Sequence, residues 1–164
     1  MAIGINGLGR IGRLVLKDFF GGLNRKSNNK DISILHLNEP NCDAKTLCHL
    51  LKFDSIHGIW DASINQIGNK KISINGKDII LTNYKNPYDI NWNNSGCSLV
   101  LDCTGTFLTK NKLKSYFDRN IKKVIVSAHI NDPEVLNIVF GVNDHLYNPE
   151  KYNIVTAASC TTNC

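Results

Sequence analysis

The sequence predicts a doubly wound α/β fold, a mostly parallel sheet with helices on both faces and one hairpin insertion. Three observations predict it. Short apolar runs of the buried parallel-strand type recur along the 164 residues. Segments with helical spacing follow the first runs, giving β–α–β order. Between two alternating segments lies Asn75-Gly76, a strong signal for a two-residue hairpin turn.

The elements follow in order. Residues 2–6 form an apolar strand and residues 7–12 a glycine-rich turn. Ile11, Leu14, Val15, Asp18 and Phe19 then keep helical spacing, with Gly21-Gly22 as the stop. Residues 24–31 are polar and read as a surface loop. A second strand spans 32–37 and ends at Asn38-Glu39-Pro40. Right-handed crossover makes these two strands parallel neighbours. Asp43 is placed to cap a helix carrying Leu47, Leu50, Leu51 and Phe53 on one face. Short alternating strands fill 64–81. Further strands are expected over 98–102, 122–127, 137–141 and 154–158, with a helix around 110–118. The last residues, 159–164, read as the first turn of another helix with no C-cap, so the sequence is expected to be truncated. The expected domains are a dinucleotide-binding unit over 1–158 and the start of a catalytic unit over 159–164.

Composition narrows the class. The chain is 42% hydrophobic and 20% charged, and no apolar run reaches the ~20 residues a membrane span needs. The N-terminus runs straight into strand-like sequence without a signal-peptide pattern, so a cytoplasmic location is expected. The net charge of +5 is spread over scattered lysines, with short clusters at Asn24-Arg25-Lys26, Lys70-Lys71 and Lys122-Lys123. No basic–aromatic interleave marks a nucleic-acid partner. The six cysteines have no zinc-like spacing and are expected as reduced thiols. No metal site is expected.

Gly7-Leu8-Gly9-Arg10-Ile11-Gly12 has the form of a phosphate cradle, and its context is right: strand before, helix after, acidic residue at the end of the next strand. Gly7 permits the tight turn, Gly9 lets the backbone approach a pyrophosphate, and Gly12 lets helix and strand pack closely. The helix N-terminus adds free N–H donors and partial positive charge. Glu39 follows Gly12 by 27 residues and is positioned to accept ribose hydroxyls and repel a 2′-phosphate, which favours NAD over NADP. Lys85 keeps NADP open, because a cation offsets that repulsion. At the other end Cys160 lies where a buried strand meets a helix start, a place that favours a thiolate and offers N–H groups to an oxyanion. From position alone a nucleophile and a structural thiol remain equally open.

Ala157-Ala158-Ser159-Cys160-Thr161-Thr162-Asn163-Cys164 resembles the active-site signature of phosphorylating glyceraldehyde-3-phosphate dehydrogenases. Residues 4–13 are similar to that family's N-terminus, as are Phe53-Asp54-Ser55-Ile56-His57-Gly58, Cys103-Thr104-Gly105-Thr106-Phe107 and Gly141-Val142-Asn143. The blocks come in the family's order and cover the chain. The resemblance implies a Rossmann-type cofactor domain and Cys160 attacking an aldehyde. Hydride then passes to NAD, and phosphate releases the thioester. It implies that Ser159 and Thr161 meet phosphate and Arg10 and Ile11 the pyrophosphate. Glu39 would take the adenosine ribose, and Thr104, Gly105 and Ser127 the rest of the dinucleotide, with Asn6 near the cofactor or turn. It also implies a homotetramer acting on a phosphorylated aldehyde with inorganic phosphate. Glu39 stands where the family usually has Asp, and His129 where it has Pro. Asn38-Glu39-Pro40 and residues 49–54 look most like the arsenate-resistance subgroup, in which arsenate would replace phosphate. The family's general-base histidine has no counterpart in these 164 residues, so this stretch alone is expected not to turn over. Erythrose-4-phosphate dehydrogenase and a non-catalytic NAD-binding module are the alternatives.

Overall fold

A computed structural model describes residues 1–21 and 32–164. The loop expected over 24–31, with its basic cluster, and Gly22 lie outside the described residues. β1 (Ala2–Asn6) leads into α1 (Arg10–Phe19), and β2 (Ser33–Asn38) into α2 (Ala44–Lys52). A two-stranded ribbon, β3 (Phe53–Asp54) and β4 (Gly58–Ile59), precedes β5 (Ile64–Ile67), β6 (Lys71–Ile74) and β7 (Lys77–Thr82). Two short 3-10 turns, Pro87–Asp89 and Trp92–Ser95, carry the chain to β8 (Leu99–Asp102). α3 (Lys110–Phe117), β9 (Lys123–Val126), β10 (Leu136–Asn137), β11 (Ile154–Thr156) and α4 (Cys160–Asn163) complete the order.

Among the described residues, nine strands form one sheet in the order β10-β11-β9-β8-β1-β2-β7-β6-β5. All pairs from β10 to β7 are parallel, and β6 and β5 join antiparallel. The order β7-β2-β1-β8-β9-β11 runs outward from β1 in both directions, so the winding reverses between β1 and β8. That is the doubly wound topology, and ligands in such sheets bind at the reversal beyond the strands' C-terminal ends.

Each face has its own core. α1 and α2 lay Leu16, Leu47 and Leu51 on Ile5, Leu37, Ile79 and Leu81, all fully buried. On the other face α3 packs Leu113 and Tyr116 against Val100, Val124 and Val126. Full burial of such side chains is worth roughly 1.5–3 kcal/mol each. Local chemistry fixes the ends. Asp43 Oδ1 accepts from the Thr46 amide at 2.7 Å and caps α2 as expected. Asn75 and Gly76 take φ of 51° and 79°, the left-handed pair of a type I′ hairpin.

Three expectations change. The strand at 137–141 shrinks to β10, because Asn143 folds back with Oδ1 on the Val139 amide and Nδ2 on the Asn137 carbonyl, drawing the chain off the sheet edge. The strand at 154–158 stops at Thr156, since Ala158 turns to φ 56°. Phe53 leaves the α2 face for the β3–β4 ribbon and is 48% exposed. No helix links β7 to β8; the buried Trp92 covers that face instead. It lies so close that a Cβ on Gly4 would run into its ring.

Candidate active site

One row of the sheet positions the site. Thr82, Asn38, Asn6, Asp102, Val126 and Thr156 are the last residues of β7, β2, β1, β8, β9 and β11, and they stand in register across the strands. Beyond the row the ladder continues for one residue. The amides of Glu39, Gly7, Cys103, Ser127 and Ala157 donate to the carbonyls of Thr82, Asn38, Asn6, Asp102 and Val126 at 2.7–2.9 Å. These next residues form the rim from which the expected site loops depart, except that of Lys85, which follows β7.

The glycine turn is set by contact. Gly7 takes φ 88°, and a Cβ there would come within 2.8 Å of the Thr104 amide nitrogen. A Cβ on Gly12 would overlap the Gly7 carbonyl oxygen, so this glycine closes helix onto strand. Gly9 differs: its φ is −64° and a Cβ there would meet nothing within 4 Å. Gly9 is the N-cap of α1, no side chain caps that terminus, and no acidic residue lies in its first turn. A helix start with free donors and open space fits a pyrophosphate. Arg10 and Ile11 are exposed at this end.

Glu39 turns inward. Its Oε2 accepts from the Leu8 amide at 2.7 Å and its Oε1 from the Asn41 amide at 2.9 Å. Only 8% of the residue is exposed, so the carboxylate braces the glycine turn with one free lone pair on each oxygen. Asn6 does not face the crevice: it is 2% exposed, donates to Tyr116 Oη at 2.5 Å and accepts from Asn38 Nδ2 at 2.8 Å. Thr104 Oγ1 donates to Asp102 Oδ1 at 2.7 Å and accepts from the Thr106 amide, which folds the loop around Gly105 (φ 66°). Ser127 is half-buried at the rim. Lys85 and His129 are exposed. Sequence reasoning did not single out Asp102 or Tyr116, and it read Asn38 only as a strand end and as part of the Asn38-Glu39-Pro40 block.

Cys160 sits on a separate cluster at the same edge. Ala158, fully buried with φ 56°, bends the chain sharply after β11. The bend is held by the Ala158 amide on Thr156 Oγ1 and by Asn163 Nδ2 on the carbonyls of Ala157 and Ser159. Ser159 Oγ caps α4 by accepting from the Thr162 amide, and it lies 3.1 Å from Thr161 Oγ1. Cys160 and Cys164 are exposed. Burial pushes the thiols of Cys42 and Cys103 up to about 11, reinforced by Glu39 and Asp43 at the first and by Asp102 at the second. Burial raises Cys48 and Cys97 as well, so these four remain protonated thiols. Because β11 runs parallel to β1, Cys160 and the glycine turn share one edge. Three strand spacings of about 4.8 Å separate their strands, roughly 14 Å.

Residues 1–110 match the model for the NAD binding domain of glyceraldehyde 3-phosphate dehydrogenase. The chain belongs to the glyceraldehyde 3-phosphate dehydrogenase family. The matched part is its NAD-binding domain, which is what the open Gly9 cradle fits. Glyceraldehyde-3-phosphate dehydrogenase 3 of Nostoc sp. is 44% identical over 162 residues, covering 99% of this chain and 45% of that protein. A chloroplastic glyceraldehyde-3-phosphate dehydrogenase of Arabidopsis thaliana is 41% identical, covering 99% of this chain and 36% of that protein. The Geobacillus stearothermophilus enzyme of the same name is 38% identical over 99% of this chain and 45% of its own length. The chain thus spans less than half of each of these relatives. Among the described residues, no helix is long and apolar enough to cross a membrane.

Proposed function

We propose that these residues form the cofactor half and the nucleophile of an NAD-dependent, phosphorylating aldehyde dehydrogenase acting on glyceraldehyde 3-phosphate. The observation that carries this reading is the shared edge: the uncapped glycine cradle and the exposed Cys160 leave the same side of one parallel sheet. Cys160 Sγ adds to the aldehyde carbon to give a thiohemiacetal, and the Cys160 amide helps hold the oxyanion. NAD, when bound, supplies the acceptor for the hydride that this carbon gives up. The resulting thioester on Cys160 is opened by a phosphate oxygen. The sulfur leaves as thiolate and the product is an acyl phosphate. The hydroxyls of Ser159 and Thr161, 3.1 Å apart, are close enough to donate to one such anion. Arsenate takes the same place as a second acceptor.

The amides at the start of α1, with Arg10 and Ile11, hold the pyrophosphate, and the free lone pairs of Glu39 take the adenosine ribose. Thr104, Gly105 and Ser127 line the remaining length, with Lys85 at the rim. Residues 1–158 act as the cofactor domain and 159–164 open the catalytic one. The general base is placed outside residues 1–164, and the working assembly is a homotetramer. The free thiols suit a reducing compartment such as the cytoplasm.

The test is steady-state kinetics of the full-length protein with NAD. The expected result is NAD reduction with glyceraldehyde 3-phosphate that requires phosphate or arsenate. Cys160→Ser is expected to lower kcat by about 10⁴-fold or more while NAD binding stays within about twofold. A clear preference for erythrose 4-phosphate would move the assignment to that aldehyde. NAD binding without reduction of either substrate would leave a binding module.

A further inference from the structure

A chain of buried hydrogen bonds crosses the sheet beneath the cofactor rim and is not needed for the sheet ladder itself. Thr104 Oγ1 and its amide donate to Asp102 Oδ1 at 2.7 and 3.0 Å, and Tyr116 Oη donates to Asp102 Oδ2 at 2.6 Å. Tyr116 Oη accepts from Asn6 Nδ2, whose partner oxygen accepts from Asn38 Nδ2. Asn38 Oδ1 accepts from Thr82 Oγ1 at 2.9 Å and from the Tyr84 amide at 3.0 Å. His36 Nε2 lies 3.0 Å from Thr82 Oγ1, and its Nδ1 lies 2.9 Å from Ser95 Oγ. Asp102, Asn6 and Asn38 are at most 2% exposed, so none can replace a lost partner with water.

We propose that this relay positions the Cys103–Gly105 loop against the loop carrying Glu39, and that Tyr116 is its central positioning residue for dinucleotide binding. The proposal rests on the cofactor reading above. The geometry favours a positioning role over a purely structural one for two reasons. The relay ties together the last residues of four adjacent strands, and three of these, Asn6, Asn38 and Asp102, are followed at once by the rim residues Gly7, Glu39 and Cys103. It also stops at Val126, so the nucleophile bend has its own network of Thr156 on Asn137 Oδ1, with no polar member of the row between them. Tyr116 is the one member contributed by a helix, and it bridges β8 and β1 where the winding reverses. Burial raises the Asp102 carboxyl from its ordinary value, and the Tyr116 and Thr104 donors oppose that shift by favouring the charged form.

The two ends make different predictions. Tyr116→Phe deletes one hydroxyl and leaves Asn6 Nδ2 and Asp102 Oδ2 unpaired at the Thr104 end. In the full-length protein it is expected to weaken NAD binding roughly tenfold. Adenosine, which reaches only the Glu39 end, should change by less than about twofold in NMR titration. Thr82→Val, isosteric and at the far end, is expected to weaken adenosine and NAD alike. A merely structural role would lower the melting temperature and leave both affinities of the folded protein unchanged. Unchanged NAD affinity in folded Tyr116→Phe, or equal losses for NAD and adenosine, overturns the proposal. Should Tyr116→Phe not fold, Thr82→Val decides, and unchanged adenosine binding there is the overturning result. If the unsubstituted protein fails to bind NAD, the cofactor reading falls rather than the relay.

Discussion

Gly9 and Gly12 lie three residues apart in one turn, and the structure needs them for opposite reasons. Gly12 is required by the protein itself, since any Cβ there overlaps the Gly7 carbonyl oxygen. Gly9 has ordinary φ and empty space around it, so only a ligand can require it. Gly12→Ala is therefore expected to destabilise the fold by about 3 kcal/mol. Gly9→Ala should change stability by less than about 1 kcal/mol and weaken NAD at least roughly tenfold, because the methyl occupies the phosphate approach. Denaturant unfolding and NAD titration of both variants check this; a stable Gly12→Ala, or a Gly9→Ala with native affinity, contradicts it. The spacing of the three glycines made this turn readable in the sequence. Asn6 was readable only as a neighbour of the turn, because its partner Tyr116 lies 110 residues away and depends on helix placement.

At the scale of an element, β2 shows what periodicity conveys and what it hides. Its apolar run marked a buried strand, and Ile34 and Leu37 do fill the first core. His36 in the middle of that run gave no sign of its partners, Ser95 and Thr82, which come from segments 59 and 46 residues away. Burial lowers His36 from 6.5 to about 4, so the native imidazole stays neutral where the unfolded one has taken up a proton. Between those pH values the unfolded chain binds more protons than the native one. Stability therefore rises with pH across the window and is lost on acidification, by about 3 kcal/mol over the whole range. Asp102 acts in the opposite sense, since a raised native carboxylate takes up its proton before the unfolded one. Unfolding midpoints measured from pH 6.5 down to 4 should fall, and His36→Gln should flatten that slope. A variant with the native slope would assign the pH dependence to other groups. The same limit applies to β10 and β11, where apolar runs promised longer strands. Asn143 and the left-handed Ala158 ended them through side-chain and backbone geometry that periodicity does not carry.

At the scale of the molecule, the parallel winding was readable because β–α–β order and right-handed crossovers leave few topologies. The β3–β4 ribbon was not, as two residues per strand give no periodic signal. This ribbon also bears on assembly. Phe53 and Ile59 are paired across it, and Ile56 stands in its turn; they are 48%, 69% and 70% exposed. Among the described residues the ribbon pairs with no third strand. Two isolated strands are marginal in water, and an apolar outer surface on them is stabilised only when something covers it. In the homotetramer proposed above, a second copy of the chain is expected to supply that cover. Ile59→Asp in the full-length protein places a charge in the middle of that contact and is expected to shift the assembly to smaller species in light scattering. Arg10 shares a cleft with Phe53 and Ile56, but Ile59 does not line it, so NAD binding by the dissociated species should persist. An assembly of unchanged mass would show that the contact between copies lies elsewhere.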